Sequence, residues 1–130
     1  FQLELQQFLQ PELVQELGDS VAVLSGDDAL TLPFMSVGAK GVVSVTSNLM
    51  PTGMVKMVEA ALANDFATAQ TYHKRFFPLF AQMLSLEPNP VCIKYALQKA
   101  GKIETAQVRL PLTHPTLENQ GKLDLLLQDF

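Results

Sequence analysis

The chain has 130 residues, 48% hydrophobic and 17% charged, the size and balance of one ordinary domain able to bury a core. A net charge of −4 and a pI near 5.0, with nine basic residues scattered rather than massed beside aromatics, exclude a general nucleic-acid binder. No apolar run approaches the ~18 residues of a bilayer span, and the opening FQLELQQFLQ lacks the basic and apolar regions of a secretory signal.

Phe1, Leu5, Phe8, Leu9, Leu13 and Leu17 recur at helical spacing, interrupted by Pro11, and predict one or two helical pieces stopped at Gly18-Asp19. SVAVLSG (20–26) is a short continuous apolar run closed by glycine, the pattern of a strand buried on both faces. Asp27 or Asp28 is then expected to cap a short helix ended by Gly38, and GVVSVTSN (41–48) reads as a second buried strand. Two such strands joined by a crossover predict a parallel βαβ unit. Their outer edges need partners, so the chain is expected either to complete its sheet with another copy or to be a piece of something larger. The absence of an initiator Met before Phe1 points the same way.

Beyond residue 50 the pattern is helical. Pro51 suits a first helical position ahead of the stripe Met54, Val55, Val58, Ala61 and Leu62. Asp65 is expected to cap the longest helix, bent or broken near Pro78. Asn89, with Pro90, should open a helix running to Ala100 and stopped by Gly101, and TLENQGKLDLLLQDF should close the chain as a helix. The boundary lies near residue 64, with 1–64 forming βα units and 65–130 a helical segment.

Candidate site residues cluster where the strands end. Asp27 and Asp28 follow Gly26, whose lack of a side chain admits close approach of a ligand to backbone. Paired carboxylates suit a divalent metal, but His73 and His114 lie far off in sequence, so no metal site is expected. Ser44 and Asn48 serve either as hydrogen-bond donors at the end of the second strand or as local caps. Tyr72, Phe76, Phe77 and Phe80 fit helix packing better than a cofactor box. The lone Cys92 sits in a helical pattern and reads as a packing residue in a reducing compartment.

LSGDDALTLPFMSVGAKGVVSVTSN (24–48), with EPNPVCIKYAL (87–97) and RLPLT (109–113), resembles the C-terminal portion of the 4-hydroxy-tetrahydrodipicolinate synthase (dihydrodipicolinate synthase) family, in the family's order and spacing. The likeness covers about residues 14–130. The first block alone would also suit other pyruvate-dependent aldolases. The resemblance implies an α/β fold, the last two strands and helices of a TIM (β/α)8 barrel followed by a C-terminal helical segment. It implies a cytoplasmic homo-oligomer, usually a tetramer, needing no cofactor. That enzyme condenses pyruvate with aspartate semialdehyde in lysine and diaminopimelate biosynthesis, through a Schiff base on a lysine of the sixth strand. Val43 matches the position that touches pyruvate, and Gly26, Asp27 and Asp28 the mouth near the semialdehyde.

The departure lies in the nucleophile. By family spacing the Schiff-base lysine belongs at or just before Phe1, where none stands. All seven lysines fall in helices, in loops, or ahead of the second strand. The resemblance therefore implies that the 130-residue chain alone is inactive. The alternatives are a non-catalytic oligomerising or interaction module derived from a barrel's tail, and part of a related sugar-acid aldolase.

Overall fold

The computed structural model describes residues 12–130, so the helical reading of Phe1, Leu5, Phe8 and Leu9 lies outside the described residues. After a helical stretch over 12–17 come β1 (Leu24–Ser25), α1 (Thr31–Ser36), β2 (Gly41–Val42), α2 (Pro51–Leu62), α3 (Phe66–Met83), α4 (Val91–Lys99) and α5 (Leu117–Leu127). The strands pair in parallel, Leu24 opposite Gly41 and Ser25 opposite Val42.

Both strands are shorter than their apolar runs predict. Each has one neighbour among the described residues, and short turns of 3₁₀ helix close in at Gly18–Ser20 and Thr46–Asn48. The runs are written for strands paired on both sides, so the ladder extends only where one neighbour suffices.

The crossover helix α1 buries Leu32, Phe34 and Met35 against the inner faces of α2 and α3. It ends where predicted, at Gly38 (φ +110°), and α4 likewise at Gly101 (φ +66°); both are left-handed positions that favour glycine. Pro51 opens α2 as its first residue, where a missing N–H costs nothing. Asp65 caps α3 by accepting the Thr68 N–H at 3.1 Å. Of the bend or break expected near Pro78, the break does not occur: the helix runs through Pro78, which sits on its exposed side.

One apolar core holds Met54, Met57 and Ala61 of α2 against Ala69, Phe76 and Phe80 of α3, with α1 over it. A second joins Leu79 and Met83 of α3 to Cys92, Ile93 and Tyr95 of α4 and Leu123 of α5. Of the aromatic cluster, Phe76 and Phe80 pack in the core with Tyr72 against it and Phe130 beside Phe76, whereas Phe77 is exposed. Tyr95 donates to Asp124 at 2.9 Å and Lys99 pairs with the same carboxylate at 3.0 Å, tying α4 to α5. Asn89 does not cap α4. Its bond to Pro90 is cis, and Pro90 itself occupies the cap position. Among the described residues no helix is long and apolar enough to cross a membrane.

Candidate functional site

Parallel strands present their C-terminal ends on one side of a sheet, and here those ends are Ser25 and Val42. The Val43 N–H donates to the Ser25 carbonyl at 2.8 Å, so Val43 stands directly beside the Ser25–Gly26 step. Its side chain is 69% exposed, against the expectation for a valine in a strand. With Ser44, Val45, Ile93 and Lys94 it lines an open cavity of about 410 Å³ between the segment that follows β2 and α4. Gly26 is exposed, with open space where a side chain would be.

The two aspartates, alike in sequence, are used differently. Asp27 folds the loop onto itself: its Oδ1 accepts the N–H groups of Ala29 and Leu30, at 2.8 and 3.2 Å. Its backbone is held by the Ser25 and Thr31 hydroxyls, which both donate to the Asp27 carbonyl. Asp27 thus organises the entry to α1 from outside the helix, whose cap position is Leu30. Asp28 caps nothing. It is fully buried, and its Oδ2 accepts the N–H of Thr46, eighteen residues on, at 2.9 Å.

Sequence reasoning missed Ser25 and Thr46, both fully buried at the ends of the apolar runs. A small hydroxyl residue ending a buried strand was the available signal. Ser44 and Asn48 act locally, Ser44 Oγ accepting from the Ser47 N–H at 2.8 Å and Asn48 Nδ2 donating to Val45 O at 2.9 Å.

A Schiff-base nucleophile needs a desolvated amine at a strand's C-terminal end. Lys94, half-buried, shares the cavity with Val43, but its ammonium is engaged by the Gln107 carbonyl, to which it donates. Lys102 donates to the Leu49 carbonyl at 2.9 Å, and Lys99 and Lys122 are paired with Asp124 and Glu118. His73 lies against Phe77 and Phe80, and burial holds its pKa below the usual imidazole value. Among the described residues no three His, Cys, Asp or Glu side chains converge as a metal would require.

A parallel βαβ unit followed by helices that pack on it fits the C-terminal part of a (β/α)8 barrel, the fold of the solved structures that this chain resembles. Residues 6–130 match the model of the dihydrodipicolinate synthetase family, and the chain belongs to that family. It is 44% identical over 119 residues to the 4-hydroxy-tetrahydrodipicolinate synthase of Aquifex aeolicus, covering 92% of this chain and 40% of the relative. The solved synthase of Methylacidiphilum fumariolicum superposes with a TM-score of 0.90 at 41% identity, over 95% of this chain and 40% of that one. The dihydrodipicolinate synthase of Acinetobacter baumannii, solved in complex with pyruvate, gives 0.86 at 34% identity, over 92% and 40%. The chain thus spans about 40% of the length of the relatives it matches.

Proposed function

We propose that this chain contributes the C-terminal βα units and helical segment, residues 1–64 and 65–130, of a lyase that condenses pyruvate with aspartate semialdehyde in lysine and diaminopimelate biosynthesis. Val43 contacts pyruvate, and Gly26 and Asp27, with Asp28 behind them, form the mouth toward the semialdehyde. The Schiff-base lysine and the proton relay come from polypeptide other than these 130 residues, and the working assembly is a cytoplasmic homo-oligomer.

The observation that carries this reading is the 2.8 Å bond from Val43 N–H to Ser25 O, which sets an exposed valine beside an open glycine at the strand ends. A barrel interior would cover that valine, and the cavity of about 410 Å³ that it lines leaves space for a small keto acid. No lysine of the described structure offers a desolvated amine there.

Borohydride trapping tests the reading. The 130-residue chain incubated with pyruvate and reduced should gain no mass. The same chain fused behind the part of the A. aeolicus synthase that it does not match should gain one pyruvate on a lysine of the added segment. It should also consume aspartate semialdehyde. An adduct on any lysine of this chain, Lys94 included, or a folded fusion that traps nothing, would overturn it.

A further inference from the structure

The geometry points to Asp28 as a positioning residue for the pyruvate-binding end of β2, an inference that rests on the lyase reading above. Its carboxylate is buried to 1% exposure in the loop after β1. The acceptor bond to Thr46 N–H is the side-chain hydrogen bond that joins this loop to the one after β2 among the described residues. Thr46 follows Val43 by three residues, and the stretch between them leaves the strand, so that Val45 is already helical in its backbone. Asp28 therefore fixes where β2 stops and the direction in which Val43 leaves the ladder.

Asp28 Oδ1 and Thr46 Oγ1 are both buried with no hydrogen-bond partner. The Thr46 N–H is a main-chain donor that an apolar side chain at position 28 would leave unsatisfied, whereas the carboxylate gives a directed bond to that one amide. That bond ties the Gly26–Asp27 loop to the Val43–Thr46 segment, the two sides of the proposed mouth.

The test uses the fusion described above with Asp28→Asn, Asp28→Ala and, as a remote control that costs stability, Leu123→Ala. Asparagine keeps an acceptor for the Thr46 N–H and brings an amide N–H that suits the unpartnered Thr46 hydroxyl. Displacement of a binding group by about 1 Å can cost up to a hundredfold. Asp28→Ala should raise the KM for pyruvate about tenfold or more by that reasoning, with loss of Thr46 amide protection from hydrogen exchange. Asp28→Asn should restore both to within about threefold, and Leu123→Ala should leave that KM unchanged despite a lower Tm. An unchanged pyruvate KM in Asp28→Ala, an asparagine variant as impaired as the alanine one, or an equal rise in Leu123→Ala would each overturn the positioning role. A wild-type fusion that traps no pyruvate would remove the lyase reading and this inference with it, whereas failure in the variants alone removes only the clasp.

Discussion

Replacing Gly53 with alanine sets two effects of known sign against each other. Gly53 is the third residue of α2, and in a helix interior alanine gains up to ~1 kcal/mol over glycine, less in the first turn. A Cβ at this position would lie 2.6 Å from Phe76 Cε2 and 2.7 Å from Cζ, where carbon atoms in contact sit about 3.5–4.0 Å apart. The ring must therefore retreat by about 1 Å. It has little room, because its centroid is 6.1 Å from Tyr72, 6.2 Å from Phe80 and 5.9 Å from Phe130. Overpacking a filled core costs about 1–3 kcal/mol, so the clash outweighs the propensity by roughly 1 kcal/mol. With a urea m-value of about 2 kcal/mol/M, the unfolding midpoint should fall by about 0.5 M. Gly53→Ala placed on a Phe76→Leu background should cost less, with a coupling of at least ~0.5 kcal/mol in the double-mutant cycle. An equal or higher midpoint for the single variant, or additive effects in the cycle, would show that the α2–α3 contact is not as tight as described.

Leu123→Ala should lose about 2–5 kcal/mol in thermal or urea unfolding, since the side chain is fully buried with Leu79, Met83 and Cys92; a near-wild-type midpoint would mean α5 is not docked. Glu87 accepts from Asn119 Nδ2 at 2.8 Å and from the Thr116 N–H at 3.1 Å, and these bonds hold its pKa below the ordinary glutamate value. Its depressed folded pKa gives stability that is present above the unfolded glutamate pKa and lost as pH falls through the lower folded one. Glu87→Gln should flatten that acid limb, and a stability–pH curve in the variant parallel to wild type refutes it. Cys92 has no exposed surface, and burial raises its thiol pKa, so a disulfide exchange reagent at about pH 8 should leave it untouched until the chain is unfolded in urea. Fast reaction of the native chain would show that the inner face of α4 opens.

The helices were the most legible part of the molecule because their signals are local. Pro51 at a first position, Asp65 three residues before the amide it accepts, and Gly38 and Gly101 at left-handed stops all act within one turn of themselves. The departures in that region are also local. Pro78 reads as a bend or a break, and the break does not occur because α3 is held by the buried side chains of Phe76, Leu79, Phe80 and Met83 on either side of it. Asn89 reads as a cap, yet Pro90 occupies the cap position and no side chain caps the helix there. In both cases packing or chain geometry outweighed a residue preference of a few kcal/mol or less.

The strands and the mouth are a different matter, because what decides them lies far off in sequence. SVAVLSG and GVVSVTSN have the composition of strands flanked on both sides, and that composition names the fold class correctly while overstating the ladder. Asp27 and Asp28 are indistinguishable by type and neighbours. One turns back on Ala29 and Leu30, and the other reaches across to Thr46; both lie in the turn after β1, where the loop's own path and not strand alternation sets their direction. Strand alternation does apply at β2, where it exposes Val43 while Val42 packs inward on the first core. Placement of the strand ends thus sets the burial of Ser25 and the exposure of Val43. In the positioning role inferred for Asp28, a buried carboxylate bonded to Thr46, four residues past β2, is the means of fixing the second of those ends.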